Sequence, residues 1–329
     1  MSLTQLHSLE FILFSAAFAS LVSYGLLIVL LRTPLAARMQ DVPNERSLHS
    51  NPKPRFGGLG IVLGVLASFL VVGDFQFAPL AMIALALAAL SFCDDLWRLP
   101  IYVRLPLHVL AATLVFLFFP NDGWLGLLVV PAIAWMTNLY NFMDGLDGLS
   151  GGMTVFGFLA YAIAASQAGS PAIAQISLSA VGAALGFLAF NIPPAKLFMG
   201  DVGAIPLGFL AGAIGYVGNV LDLWPLWFPV FVFSPFIIDA TVTLLQRVAR
   251  HEKVWLAHRS HYYQRMALTS LGKSGTTWRW YVAMALVSGL GVVFRDLPAV
   301  WAFLMLLVSA ATFYLAMRWI DEQSRGRST

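Results

Sequence analysis

Four polar residues recur at every third position between two strongly apolar runs of this chain. They are Asn138, Asn141, Asp144 and Asp147, within NLYNFMDGLDGLSGG at 138–152. Three-residue steps place such side chains along one side of a helix end. Carboxylate and amide oxygens suit a hard divalent cation such as Mg²⁺, which binds through one or two carboxylates together with substrate phosphates. The spacing therefore predicts chemistry on a phosphate, and a polar helix cap is the alternative.

A second acidic site closes an apolar run in SFCDDLWRLP at 91–100. Asp94 and Asp95 are adjacent there, and Arg98 and Arg104 follow them. Neighbouring carboxylates at a membrane surface repel each other, so they need a cation, basic side chains or protonation. We interpret the pair as part of a site, and a charge-balanced loop is the alternative.

A third acidic position lies in NIPPAKLFMGDVG at 191–203. Asp201 stands between Gly200 and Gly203 just before a predicted helix, and Lys196 offers a positive charge nearby. A carboxylate at this point can act simply as a cap that complements the helix dipole. The functional interpretation is a metal ligand, placed where the positive end of the helix also favours a phosphate.

The segment HRSHYYQR at 258–265 carries groups that suit an anion. It places His258, Arg259 and His261 together, and guanidinium and imidazole donors match phosphate oxygens. Two histidines could also ligate zinc, but neither a cysteine nor an HExxH pattern accompanies them. We interpret the segment as an anion clamp, with a basic interfacial helix on lipid headgroups as the alternative.

The loop DVPNERSLHSNPKPRFGG at 41–58 mixes polar and basic side chains with prolines and a glycine pair. Its candidate binding residues are Asn44, Arg46, His49 and Arg55. Proline restricts the backbone and glycine permits close packing, which favours a preorganised substrate loop over a flexible linker. A cytoplasmic loop is commonly basic, so this signal is weak when taken alone.

Composition identifies the elements that must hold these groups. Apolar side chains make up 59% of the 329 residues, charged ones only 11%, and the mean hydropathy is +0.80. Such a chain has too little polar surface for a soluble fold, so we predict an all-α polytopic membrane protein with one transmembrane domain over 1–329. At about 15 to 22 residues per crossing, eleven helices are predicted, at 9–31, 58–72, 77–93, 105–119, 124–140, 152–166, 172–190, 203–218, 225–245, 277–293 and 298–319.

The basic residues predict the orientation of these helices. Of the 19 lysines and arginines, all except Arg295 fall in alternate loops, at helix ends facing the same side, or in the C-terminal segment. Positively charged loops stay in the cytoplasm, so the N-terminus is expected outside and the C-terminus inside. The expected cytoplasmic loops are about 32–57, 94–104, 138–151, 191–202 and 246–276, and the candidate site therefore faces the cytoplasm. The net charge of +3 reflects this topology and does not imply a nucleic-acid partner.

Five segments in order resemble the polyprenyl-phosphate N-acetylhexosamine-1-phosphate transferases, the glycosyltransferase-4 family of membrane enzymes. The segments are PNERSLHSNPKPRFGG, DDLWRLP, NLYNFMDGLDGLSGG, FNIPPAKLFMGDVG and HRSHYYQR. The last one resembles the branch that initiates O-antigen or similar surface polysaccharides more than the phospho-N-acetylmuramoyl-pentapeptide transferases, whose loop carries a histidine triplet. Ala204 departs from the family, in which a serine is common at this position.

The resemblance implies transfer of the sugar 1-phosphate of a UDP-N-acetylated sugar to undecaprenyl phosphate in the bacterial inner membrane, with release of UMP. It implies Mg²⁺, with Mn²⁺ as an alternative, held by Asp201 and Asp95, while Asp94 and Asp95 face the lipid phosphate. Asp144 and Asp147 are the other implied catalytic residues. The implied substrate-binding residues are Asn44, Arg46, His49, Arg55, Arg98, Arg104, Asn138, Asn141, Lys196, His258, Arg259 and His261. Membrane lipid is an implied partner, and the question of a homodimer is left open.

Three other functions compete with this interpretation. A pentapeptide transferase of the same family would carry a different sugar. A transporter or flippase would use an acid inside the membrane, such as Asp239, for ion coupling. It predicts acids near mid-membrane and inverted repeats, whereas the acids of this sequence cluster at one face and we detect no repeat. A structural membrane subunit would not need several acidic sites at one face. For the transferase we favour direct attack of the lipid phosphate over an aspartyl-phosphate intermediate.

Overall fold

The computed structural model describes residues 3–44, 47–72, 74–121, 124–254, 256 and 258–325, and this part of the chain is almost entirely helical. A two-stranded antiparallel hairpin joins β1 (Gln40–Asp41) to β2 (Lys53–Pro54). The helices are α1 (Leu3–Leu31), α2 (Leu35–Arg38), α3 (Gly57–Val72), α4 (Ala78–Trp97), α5 (Ile101–Phe118), α6 (Leu125–Phe142), α7 (Leu149–Gln167), α8 (Pro171–Asn191), α9 (Asp201–Val220), α10 (Trp227–Val232), α11 (Ser234–Ala249), α12 (Tyr262–Ala267), α13 (Gly272–Val293) and α14 (Ala299–Arg325).

All eleven predicted helices fall on helices of the structure. Within the described residues, seven helical segments are long and apolar enough to cross a membrane, and the apolar helices at 57–72 and 127–142 are shorter. The prediction of an all-α polytopic membrane protein is therefore confirmed, while the number of eleven crossings stays a prediction.

Two sequence predictions need correction. The helix predicted at 225–245 is divided at Phe233 into α10 and α11, because Pro235 has no N–H and its ring clashes with the carbonyl four residues earlier. The loop predicted at 138–151 is shorter, since α6 continues to Phe142 and α7 begins at Leu149. A helix can continue through polar residues whose hydrogen-bonding groups have partners. The length of an apolar run therefore underestimates the length of the helix.

Helices α7, α8 and α9 are the most buried of the candidate spans, whereas α5 and α14 are mostly exposed on the outside. Small residues allow the inner helices to approach closely. A Cβ added at Gly182 in α8 would lie 1.9 Å from the carbonyl oxygen of Ala16 in α1, and one at Gly186 would lie 2.5 Å from that of Ser20. Close backbone approach through small residues is the usual basis of helix association in membranes.

The end of the bundle that carries the predicted inner loops is held together by backbone hydrogen bonds. Phe198 N–H donates to Pro54 O, Gly57 N–H to Phe198 O, and Gly58 N–H to Met199 O, each over 2.8 Å. These bonds join the loop before α3 to the loop before α9. The beginnings of the two helices therefore lie side by side, where Gly58 faces Gly203.

We expect Gly58→Ala to destabilise this contact, because the added methyl group would lie 2.1 Å from the backbone nitrogen of Gly203. Overpacking of this kind costs about 1–3 kcal/mol. Thermal unfolding of the purified protein in detergent should show a melting temperature lower by roughly 5 °C. Gly25→Ala is the matched control, because nothing lies within 4 Å of a Cβ added there. Equal melting temperatures for the two variants would contradict the proposed tight contact.

Candidate active site

The turn between α6 and α7 brings Asp144 and Asp147 into one cavity. Gly148, in the left-handed conformation with φ of 81°, precedes α7 and lets the chain reverse. Asp147 is buried and accepts a hydrogen bond from the Ala195 amide over 2.9 Å, and its carboxylate lies 3.9 Å from Lys53 Nζ. Asp147 therefore connects three inner segments, in addition to any role with a substrate.

Two arginines balance the carboxylates at the inner ends of α4 and α9. Arg104 on α5 pairs with Asp94, and its Nη1 also lies 3.7 Å from Asp201 Oδ2. Arg55 Nη2 lies 3.3 Å from Asp95 Oδ1 and donates to the Asp95 carbonyl oxygen over 3.1 Å. Like charges repel at such short range, and the two guanidinium groups offset part of the repulsion among these carboxylates.

Asp144 lies in the turn beside this cluster and is affected by it. Burial raises the pKa of Asp144 well above its usual range, contacts with Ser150 and the Gly200 backbone oppose the rise, and the carboxylates of Asp201 and Asp95 add to it. A cation that enters the cavity would favour the ionised form of this carboxyl group.

The cavity has a volume of about 270 Å³ and opens between the inner ends of the helices. Its wall is both polar and apolar, with Phe198 and Met199 among the acids and amides. Among the predicted site residues the wall includes Asn44, His49, Arg55, Asn141, Asp144, Asp147, Asp201 and His258. Asp94, Asp95 and Arg104 join it through their contacts with Asp201 and Arg55. Residues that are far apart in the sequence therefore converge on one site.

The loop before α3 forms one side of the cavity. His49 lies with Nε2 3.5 Å from Asp41 Oδ2, and its ring meets the Phe198 ring edge-on at 4.8 Å between centroids. The backbone N–H of Asn44 donates to Ser47 Oγ over 3.0 Å, and this bond shapes the turn. Arg46, a predicted binding residue, lies outside the described residues.

His258 and His261 lie close together at the cavity, and they differ in burial. His258 lines the cavity, whereas His261 is buried behind it with Nδ1 3.2 Å from Asp239 Oδ1. The two rings lie 4.8 Å apart between centroids. Asp239 also accepts hydrogen bonds from the amides of Tyr262 and Tyr263, over 3.0 and 2.9 Å. Asp239 therefore anchors the start of α12, which holds the histidine segment in place.

Five predicted binding residues, His261 among them, do not reach the cavity wall as the structure describes it, and Arg104 reaches the site only through its ion pairs with Asp94 and Asp201. Arg98, Lys196 and Arg259 are exposed and lie outside that wall. Asn138 lies one helical turn before Asn141, where its Oδ1 is 3.1 Å from His108 Nδ1 and its amide donates to Ala134 O over 2.7 Å. Asn138 therefore stabilises α6 and its contact with α5, and the three basic side chains lie at the rim of the cavity or outside it.

Several residues of the cavity were missing from the predicted site. Asp41, Asn191 and Gln264 line it, and Lys53 reaches it through Asp147. Asn191 connects two segments, since its Oδ1 accepts from the Gly148 amide over 2.9 Å and its Nδ2 donates to Leu197 O over 2.8 Å. The polar character of Asn191 at the end of an apolar helix was the available signal for it.

The carboxylates of the cavity suit a divalent cation that takes some of its ligands from the protein and others from a substrate. Asp95 Oδ2 is buried and has no hydrogen-bond partner among the described residues, although Asp94 and Asp201 are near neighbours. Within the same residues, no three acidic or histidine side chains already enclose a point at metal-ligand distances. Mg²⁺ does not require such an enclosure, because it commonly uses one or two carboxylates, waters and substrate phosphates.

The helices and the cavity define a polytopic membrane protein with a polar candidate active site at one end of its helices. Residues 77–219 match the family model described as Glycosyl transferase family 4. A probable undecaprenyl-phosphate N-acetylglucosaminyl 1-phosphate transferase of Bacillus subtilis (strain 168) is 28% identical over 309 residues, 86% of each chain. A phospho-N-acetylmuramoyl-pentapeptide-transferase of Geobacillus kaustophilus (strain HTA426) is 30% identical over 226 residues, 59% of this chain and 68% of that one.

The similarity to the Bacillus subtilis relative extends over most of the chain. The chain belongs to glycosyl transferase family 4, and it is a membrane transferase of the phosphotransferase type. The matched range of 77–219 contains Asp94, Asp95, Asp144, Asp147 and Asp201.

The histidine side of the cavity predicts a dependence of stability on pH. Burial, followed by the nearby His261 and Arg247, lowers the pKa of His258 from 6.5 to about 4. Protonation between these values therefore favours the unfolded chain, so the contribution of His258 to stability is complete above about pH 6.5 and is lost as the pH falls towards 4.

Replacing His258 by Gln should accordingly reduce the fall in melting temperature between pH 7 and pH 4.5, measured by thermal unfolding in detergent. His251→Asn is the control, because His251 is an exposed histidine of the same loop and asparagine tolerates its left-handed backbone. Parallel pH curves for the wild type and His258→Gln would contradict the assignment.

Proposed function

We propose that this protein transfers the sugar 1-phosphate of a UDP-N-acetylated sugar to undecaprenyl phosphate, giving the undecaprenyl-diphosphate-linked sugar and UMP. One observation carries the proposal: acidic residues from α4, the α6–α7 turn and α9 converge with Arg55 and Arg104 on a single cavity. Joining two anionic phosphates requires cations to offset their repulsion, and phosphoryl transfer depends chiefly on positioning and electrostatics.

In the proposed reaction, an oxygen of the lipid phosphate attacks the β-phosphorus of the UDP-sugar. The bond between this phosphorus and the oxygen that bridges to the α-phosphorus breaks, and UMP leaves with that oxygen. The C1–O bond of the sugar stays intact. Since the second pKa of a phosphate monoester is about 6, the lipid phosphate is largely dianionic at neutral pH and gains little from a strong base.

The proposed cofactor is Mg²⁺, and Mn²⁺ is the alternative. Asp201 and the unpartnered Asp95 Oδ2 would hold the metal ion, which would supply charge neutralisation to the pyrophosphate when bound. Arg104 and Arg55 already pair with the acids and would orient them. Asn141 beside Asp201 would orient it further.

An N-acetylhexosamine is the proposed sugar, and initiation of an O-antigen-type surface polysaccharide is the proposed role. The extent of similarity supports the choice of sugar, since the Bacillus subtilis relative aligns over 86% of the chain and the Geobacillus kaustophilus pentapeptide transferase over 59%. The second candidate is transfer of phospho-N-acetylmuramoyl-pentapeptide, which the shared family supports.

The proposed location is the bacterial inner membrane, with the N-terminus outside and the cavity facing the cytoplasm. The distribution of charge supports this orientation. Arg55 and Arg104 lie at the cavity end, whereas Arg295 lies beyond the opposite end of α7, where it is buried and donates to Ala164 O over 2.7 Å. A guanidinium at a helix C-terminus satisfies free carbonyls and complements the dipole.

Purified protein should release UMP from a UDP-N-acetylhexosamine when undecaprenyl phosphate and Mg²⁺ are both present, as measured by chromatography of the nucleotides. UDP-N-acetylmuramoyl-pentapeptide should be a poor donor. Direct attack also predicts that no UMP appears and no phosphate stays on the protein when the lipid is omitted. Release of UMP without lipid would instead support a covalent intermediate, and preference for the pentapeptide donor would favour the second candidate.

We expect Asp201→Asn to lower turnover by at least a hundredfold without loss of folding, because an amide provides an oxygen but not the charge that holds a divalent cation. The UMP assay at several Mg²⁺ concentrations measures this effect. Asp222→Asn is the matched control, since Asp222 is exposed beyond the opposite end of α9. Near-normal turnover of Asp201→Asn at low Mg²⁺ would show that Asp201 is not a metal ligand.

A further inference from the structure

Arg247, in the last turn of α11, is a buried arginine that the proposed reaction does not use. Its Nε donates to Glu252 Oε2 over 2.7 Å, and its Nη1 and Nη2 donate to the carbonyl oxygens of Leu256 and Lys253, each over 3.1 Å. One guanidinium therefore binds three acceptors of the segment that follows it. Lysine cannot reproduce this planar arrangement of donors.

Three described residues between α11 and His258, namely Glu252, Lys253 and Leu256, surround this guanidinium. The Glu252 amide donates back to Arg247 O over 3.0 Å, and His251 takes the left-handed conformation with φ of 56°, which turns the chain. The carboxylate of Glu252 is partly exposed, but the side chain of Arg247 is only 8% exposed. Arg247 is therefore the centre of the loop that carries His258 to the cavity wall.

A second contact fixes the His258 ring itself. The Ser260 backbone N–H donates to His258 Nδ1 over 3.3 Å, and Ser260 Oγ lies 2.7 Å from the same nitrogen. A backbone N–H can only donate, so Nδ1 must be an acceptor and carries no proton. The neutral ring then has its proton on Nε2.

The charged and titratable groups around His258 are consistent with a neutral ring. Arg247 of α11 and the buried His261 disfavour a positive charge there, whereas Glu252 in the loop and Asp239 of α11 favour it. Burial and the two basic neighbours outweigh the two acids, so the pKa of His258 is low. In the predicted anion clamp, His258 would therefore act as an N–H donor and not as a cation.

We propose that Arg247 is a positioning residue that holds the described residues preceding His258, so that His258, oriented by Ser260, presents Nε2–H to the substrate in the cavity. The inference rests on the proposed function for the identity of that substrate, the pyrophosphate or sugar portion of a UDP-sugar. Arg247 acts only through His258. The loop bonds and the ring orientation can be tested without any activity.

The first test measures the ring directly. Protein labelled with ¹⁵N-histidine is studied by NMR in detergent at pH 7, and the His258 signals are identified by their loss in His258→Gln. We expect the Nε2–H form, with Nδ1 unprotonated. A protonated Nδ1, either in the other neutral form or in the imidazolium, would overturn the proposal whether or not the protein proves to be a sugar-phosphate transferase.

The second test is a double-mutant cycle between Arg247→Lys and His258→Ala in the UMP assay. We expect Arg247→Lys to lower kcat/KM for the UDP-sugar about tenfold in the wild type and less than about twofold in the His258→Ala background, because coupled residues are non-additive. Arg250→Lys is the matched control, since Arg250 is an exposed arginine of the same loop. Equal losses in both backgrounds would show a merely structural role and overturn the proposal.

Discussion

The balance of charge at the cavity is the constraint on which the rest of the site depends. Asp94, Asp95 and Asp201 come from two helices and share one small space, where ion pairs with Arg55 and Arg104 offset part of their mutual repulsion. Removing one of these arginines would leave the charge of a carboxylate uncompensated. Its cost in stability is far larger than the net contribution of the ion pair. The loop before α3 and the helix α5 must therefore supply their arginines at fixed positions.

Close backbone packing is what keeps those positions fixed. Arg55 is two residues before Gly57, and the Gly57 and Gly58 amides bond to the loop that leads into Asp201. Gly200 takes a positive φ of 74°, and a Cβ there would lie 2.5 Å from Arg55 O and 3.4 Å from Asp95 Oδ2. No side chain fits at this point. The glycines are therefore needed for the charge balance, because they permit the close backbone approach that pairs Arg55 with Asp95.

The histidine side of the cavity uses a different arrangement of buried charge. Asp239, an acid within an apolar stretch, could have indicated ion coupling in a transporter. In the structure its oxygens accept bonds from the Tyr262 and Tyr263 amides and from Thr243 Oγ1, and one lies beside His261 Nδ1. An acid satisfied in this way serves to fix α12 in place. Membership of glycosyl transferase family 4 agrees with a transferase rather than a transporter.

The sequence by itself determined the all-α membrane fold, the approximate positions of its helices and the segments that carry the acids. Hydropathy and residue type are local properties, and the sequence displays them directly. Only the tertiary structure decided which polar residues meet: it placed His258, Asn141 and Asp201 on one cavity and left Lys196 and Arg259 exposed outside its wall. It also revealed Asn191 as a connector and Arg247 as the centre of a loop. Such contacts depend on how helices pack and loops close across long separations in the chain, and no local pattern specifies that geometry.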